Sequence, residues 1–236
     1  MAIEDPTTYS REAVLRDGES ILVRAIRPAD KPLLLDLFRR LSPRSVRFRF
    51  MSARRGLSDE ELVYLTEVDF AKHVALVAVS RNAGEERFVG VGRYVATDAS
   101  GRTAEVAFEV ADPEQGRGIG TMLLEHLARI AHPLGVTHFE AEVLAQNSQM
   151  LDVFGDSGFE LKQALDGDTY HVRFPIRETD RFLQASLERE RRAAGESVRP
   201  FFEPGSVAVV GASREEGTIS RALLDNLIRC GFRGAI

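Results

Sequence analysis

Residues 102–121 read RTAEVAFEVADPEQGRGIGT, and this stretch decides the fold. Its first half alternates: Ala104, Val106, Phe108 and Val110 fall on one face, Glu105 and Glu109 on the other, which predicts a half-buried β-strand. The second half is a glycine-rich turn, Gln115-Gly116-Arg117-Gly118-Ile119-Gly120-Thr121, running into helical spacing at Met122, Leu123, Leu127 and Ile130. A strand, a glycine turn and a helix in that order leave unpaired N–H groups at the helix start, where the helix dipole also favours negative charge. In physical terms the turn is a pyrophosphate cradle. The plainer alternative is a turn whose glycines only let helix and strand pack closely. A Walker loop is excluded, because no Gly-Lys-Ser/Thr is present. The dinucleotide fingerprint needs glycines at the first, third and sixth positions, and from Gly116 the sixth is Thr121, although Glu140 and Glu142 sit tolerably for a ribose contact.

Working outward, VLRDGESILVRAIRP predicts two strands around Asp17-Gly18, the second at Ile21–Ile26. Pro28 and Asp30 open a helix through Leu33, Leu34, Leu37, Phe38 and Leu41, a second follows Ser42-Pro43, and Ser58 with Glu61 forms a capping box for a third. HVALVAVS and RFVGVGRYVAT read as strands joined at Asn82-Ala83-Gly84. HFEAEVL is a strand, NSQMLDVFGDSGF a short helix stopped at Gly158, and a hairpin turns at Asp166-Gly167-Asp168. Alternating strands and helices predict one α/β domain over residues 10–176. Residues 177–200 read as a solvated, charged linker helix, and residues 201–236 as a strand, SVAVVGAS, and a helix to Cys230 that together look like the truncated start of a second, Rossmann-like domain.

In this chain of 236 residues, 44% hydrophobic and 28% charged content suits a folded protein. A formal net charge of −5 without a long basic block argues against nucleic acid or an anionic membrane as the partner. No apolar run is long enough to span a bilayer, and the charged start MAIEDPTTYSREAVLRDG has no signal-peptide core. The single cysteine, Cys230, cannot form an internal disulfide, so a reducing, cytoplasmic setting is expected. The five histidines are scattered, with His126 and His132 six apart on a helix, and no metal site is expected.

The sequence resembles the GNAT acyltransferases, whose phosphate loop reads Gln/Arg-x-x-Gly-x-Gly/Ala, here Gln115 to Gly120. The later family segment, an Asn opening a helix that ends at Gly-Phe, stands here as Asn147 to Gly158-Phe159. The resemblance covers almost all of residues 20–175 and implies a GNAT fold, a mixed, splayed central sheet flanked by helices, with acetyl-CoA as co-substrate. It implies that the Val110 backbone binds the pantetheine arm, that the amides from Gln115 to Thr121 hold the pyrophosphate, and that Asn147 contacts CoA. Closer still, VLRDGESILVRAIRPAD, LSPRSVRFRF, LTEVDFAKHVALVAV and AEVAFEVADPEQGRGIG resemble Pat-type bacterial protein lysine acetyltransferases. FFEPGSVAVVGAS…NLIRCGFRG is similar to the opening of the CoA-binding domain of NDP-forming acyl-CoA synthetases, with Ser220 where Gly is usual.

By the Pat resemblance Glu105 is the catalytic base, in an Ala-Glu-x-Ala-Phe pattern, and the partner is a protein with an acceptor lysine of the acyl-CoA synthetase type. The chemistry needs such a base: a lysine with pKa ~10.4 is almost wholly protonated near neutrality, and only the neutral amine attacks a thioester. From the strand alone, Glu105 and Glu109 simply mark its solvent face, and for Glu109 that reading is kept. Phe154 stands near where many GNAT enzymes carry a thiolate-protonating Tyr. Arg44, Arg47, Arg49, Arg54 and Arg55 beside Phe48 and Phe50 read as a solvated helix face, or as a docking surface for an acidic protein. Acetylation of a small amine and acyl-CoA sensing without turnover are the other expectations; ligase activity is excluded because the ATP-using parts are absent.

Overall fold

The computed structural model describes residues 5–82, 84–177, 179–215 and 217–236. Eight strands form one mixed sheet in the order β1-β2-β3-β4-β5-β6-β8-β7. They are β1 (Ser10–Val14), β2 (Ser20–Ala25), β3 (His73–Asn82), β4 (Glu85–Ala96), β5 (Thr103–Val110), β6 (His138–Leu144), β7 (Lys162–Asp166) and β8 (Thr169–Pro175). The helices are α1 (Lys31–Arg39), α2 (Pro43–Phe50), α3 (Asp59–Thr66), α4 (Ile119–Ala131), α5 (Ser148–Asp156), α6 (Asp180–Phe202) and α7 (Ile219–Arg229). Ser42 caps α2 and the Ser58–Glu61 box caps α3, as their spacing predicts. The turn expected at Asn82-Ala83-Gly84 includes Ala83, which lies outside the described residues.

Every neighbouring pair is antiparallel except β5 and β6. Those two pair only over Thr103–Glu105 against His138–Glu140. Beyond that point β5 continues beside β4 as far as Val110, while β6 continues beside β8 as far as Leu144. The sheet therefore opens at its middle, the splay that the family resemblance implies. One face packs under α4 through Leu123, Leu127 and Ile130 against Val106, Phe108 and Phe139. The other carries Val77, Val79 and Val91 beneath Leu34 and Leu37 of α1 and Leu62 and Leu65 of α3.

Two sequence expectations need correction. The region expected as a solvated linker is a helix docked on the core; its Glu178 lies outside the described residues. Phe182 is fully buried and stacks on Phe159 with ring centroids 4.6 Å apart, and Ser186 and Ala193 are also buried. Gly158, at φ +86°, is what lets α6 approach: a Cβ there would sit 3.1 Å from the Phe182 Cα. Charge counting hid this, because only every third or fourth residue of α6 touches the core. Second, SVAVVGAS forms no strand; Ser206 alone bridges Ala235. No strand lies beside it to complete a ladder, and a lone apolar run cannot satisfy its own backbone. Helix α7 has no buried residue, and Cys230 is exposed at its end.

Two histidines are buried in neutral form. Burial, then the nearby Arg129, lowers His126 to about 4, and its Nδ1 meets the Tyr9 hydroxyl. Burial, then Arg93, lowers His73 to about 4. The unfolded chain takes up these protons near 6.5 and the folded chain only near 4, so stability is complete above pH 6.5 and falls as the pH drops toward 4. The expected slope is up to ~1.4 kcal/mol per pH unit for each histidine. Urea unfolding at pH 7.0 and 5.0 measures it, and equal stabilities would place both imidazoles in contact with water.

Candidate functional site

A groove of about 650 Å³ runs through the opening between β5 and β6. Its walls include Val106, Ala107 and Phe108 from β5, Ala141, Glu142 and Val143 from β6, the 115–121 turn, the start of α5 and one face of α2. The β4–β5 ladder uses the odd-numbered backbone groups of β5, as the Ala111 N–H to Val89 carbonyl bond of 3.0 Å shows. The Val106 carbonyl and the N–H and C=O groups of Phe108 and Val110 therefore face the side from which β6 has departed, the Val106 N–H being taken up by the last β5–β6 pair. An extended, amide-bearing chain laid in the groove finds a free strand edge there.

The turn at one end is built as a cradle. Gly118 caps α4 at φ +88° and Gly116 has φ +79°, a left-handed region costly for other residues. The first intrahelical bond runs from Met122 N–H to the Gly118 carbonyl, so the amides of Ile119, Gly120 and Thr121 have no partner within the helix. The Ile119 side chain is buried, so only its backbone serves the cradle. Gln115 departs from its expected part: its amide closes a 3-10 turn onto the Asp112 carbonyl at 3.3 Å. Its side chain donates to the Val110 carbonyl (3.1 Å) and to Asp112 (3.0 Å). That leaves the Val110 N–H as the end of the free edge.

Side chains from distant segments brace this turn. Arg117 turns outward to Asp17 and Glu19 of the β1–β2 hairpin and to Glu114, and its hydrogen bond to Asp17 is the largest reason its pKa is raised. The Arg16 N–H bonds the Arg117 carbonyl at 3.3 Å, and the Arg16 side chain crosses Gly118 so closely that a Cβ would lie 3.2 Å from it. Asp112 accepts from the Ser42 N–H (2.8 Å) and the Ser45 hydroxyl (2.5 Å), tying α2 to the cradle. Burial raises the Asp112 pKa, but these hydrogen bonds outweigh it and the net shift is downward. Asn147 lines the groove and caps α5 by accepting from Met150 N–H at 3.3 Å.

Glu105 stands at the last paired position before the strands part; it is exposed and lines the groove. Among the described residues it has no hydrogen-bond or ion-pair partner, so its oxygens are free for a substrate. Glu109 contradicts the expectation of a solvent face: its side chain is 5% exposed, with Arg49 at 3.5 Å and Arg93 at 3.9 Å. Alternation placed it with Glu105, but α2 covers that end of the strand. The same contact withdraws Arg49 from the solvated face expected of the basic cluster. Phe154 is fully buried against Phe108 and Phe174, and it offers no proton. Among the described residues no group of His, Cys, Asp and Glu is placed to hold a metal, and no helix is long and apolar enough to cross a membrane.

Gly118→Asp tests the cradle. It sets a carboxylate where the amides converge, and acetyl-CoA affinity is expected to fall at least ~10-fold with the fold retained. Unchanged affinity by calorimetry would remove the cradle from the site.

Residues 44–159 match the family model described as the acetyltransferase (GNAT) family. An acetyltransferase of Pseudomonas aeruginosa is 32% identical over 155 residues, covering 66% of this chain and 83% of that protein. Acetyltransferase Pat of Mycolicibacterium smegmatis is 34% identical over 144 residues, 61% of this chain but only 42% of that longer protein. The crystal structure of the GNAT domain of S. lividans PAT superposes with a TM-score of 0.66 at 34% identity, covering 73% of this chain and 99% of that domain.

Proposed function

Since the chain belongs to the GNAT family of acetyltransferases, we propose that it acetylates a lysine of a protein, by direct attack of the amine on acetyl-CoA with Glu105 as general base. One observation carries this reading: among the described residues, the only unpartnered carboxylate at the point where β5 and β6 part opens on the groove that ends in the amide cradle. Similarity to Pat proteins supports a protein acceptor, and acyl-CoA synthetases remain the proposed target class.

Bound acetyl-CoA supplies an activated acetyl thioester. The amides from Gly116 to Thr121 hold its pyrophosphate, the Val110 N–H and the β5 edge align the pantetheine arm, and Asn147 meets it from α5. Glu105, directly or through one water, takes the proton that the acceptor ammonium must lose before its nitrogen can attack. The new C–N bond forms as the C–S bond breaks. Phe154 cannot protonate the departing sulfur, but a thiol of pKa ~8.5 leaves tolerably as a thiolate.

The missing hydroxyl at Phe154 also suits an acyl-CoA sensor that binds without turnover. Incubating the purified chain with acetyl-CoA and candidate synthetases, then mapping acetyl-lysine by mass spectrometry, separates the readings. Acetyl-CoA binding without transfer to any protein or amine would leave the sensor.

A further inference from the structure

Helix α2 presents one face to the groove, made of Arg44, Ser45, Phe48 and Arg49. The Arg44 guanidinium lies 5.0 Å from the Phe48 ring and the Arg49 guanidinium 4.9 Å from the Phe50 ring. Arg49 is the more constrained of the two, with a side chain only 15% exposed and its Nε 3.5 Å from Glu109. Behind Glu109 stands Arg93, 4% exposed, whose Nη1 donates to the Leu65 carbonyl at 3.1 Å and meets His73 Nε2 at 3.2 Å. Arg54, from the same basic cluster, is committed to Glu61, and Arg47 and Arg55 are exposed away from the groove lining.

The charges along this line run plus, minus, plus. One carboxylate faces two guanidiniums, and His73 beside them is neutral at physiological pH. A net positive charge is thus held in a largely desolvated wall, where an uncompensated charge is costly. The cluster is also loosely paired: Arg49 Nε, Glu109 Oε1 and Arg93 Nη2 are buried with ion-pair contacts of 3.5 and 3.9 Å but no hydrogen bond. Arg49 and Glu109 both line the groove, Arg49 beside Arg44, while Arg93 stays behind them. The wall is built to receive an anion.

Spacing selects the anion's carrier. Glu105 and Glu109 lie four residues apart on one strand, so the base and the Arg49 site are separated by roughly 13 Å along β5. An α-amino acid carries amine and carboxylate on the same carbon, two covalent bonds apart, and cannot span that distance. A lysine reaches roughly 6 Å from its own Cα, and a flanking residue covers the remainder. Resting on the acetyl-transfer reading, we propose that Arg49, positioned by Glu109 and assisted by Arg44, binds the carboxylate of an acidic residue flanking the acceptor lysine. The chain thereby selects polypeptide lysines in an acidic context.

The test uses the full chain, acetyl-CoA and N-terminally blocked peptides with a single lysine, identical except for Glu or Gln at the two positions on each side. The Glu peptide should show kcat/KM about tenfold higher, and 0.5 M salt should shrink that ratio by screening. Arg49→Gln should bring the ratio close to one, and Arg49→Lys should restore part of it, with acetyl-CoA affinity reporting that each variant is folded. A ratio near one in the parent, a ratio insensitive to salt, or one that survives Arg49→Gln would overturn the subsite while leaving acetyl transfer standing. Faster acetylation of free glutamate than of the Glu peptide would likewise overturn it. Acetyl-CoA binding with no transfer to any acceptor would instead remove the acetyl-transfer reading, and the subsite with it.

Discussion

Glu105→Gln is expected to lower kcat by ~10²–10⁴ while acetyl-CoA affinity stays nearly constant. The substitution preserves size and one hydrogen-bond acceptor but removes the group able to take a proton. Affinity should hold because the cradle lies at the other end of β5 and is braced from the β1–β2 hairpin and Asp112, not from Glu105. The residual rate should climb with pH, as the neutral fraction of a lysine of pKa ~10.4 grows and hydroxide replaces the carboxylate. Steady-state kinetics across pH 6.5–9.5, paired with calorimetry, measures both effects. A variant as fast as the parent would assign deprotonation to solvent or to another group.

Glu109→Gln should act on stability. It leaves Arg49 and Arg93 facing each other in a buried wall with no anion between them. Removing one partner of a buried charge network costs ~3–5 kcal/mol, well above the loss at a solvated strand position. Adding Arg93→Met should recover part of the loss, because one uncompensated cation goes with it; the pair of variants forms a double-mutant comparison. Denaturant unfolding is the readout. A loss below ~1 kcal/mol would show that water reaches the cluster freely and that Glu109 is the surface residue its alternation suggests.

Local rules covered much of the molecule. Alternation located β5, the Ser42 cap and the Ser58–Glu61 box located α2 and α3, and the glycine turn before Met122 located the start of α4. Each of these is set by residues within one turn or one strand, where backbone sterics and capping act. SVAVVGAS shows the limit of the same reasoning, since an apolar run becomes a strand only beside another strand.

Chain order and alternation by themselves determined the strand, turn and helix that carry Glu105 and the cradle, because those features depend on neighbours in sequence. Tertiary structure alone decided which groups stay free to act. Glu105 and Glu109 share a face and a residue type, yet packing of α2 brings Arg49 onto Glu109 and leaves Glu105 open to the groove. Arg117 lies in the cradle sequence but spends its side chain on Asp17 and Glu19, about a hundred residues earlier. The charged helix α6 docks because Phe182 finds Phe159 and Gly158 leaves room for it. Burial and charge pairing depend on partners far along the chain, and no periodicity within a segment encodes who those partners are.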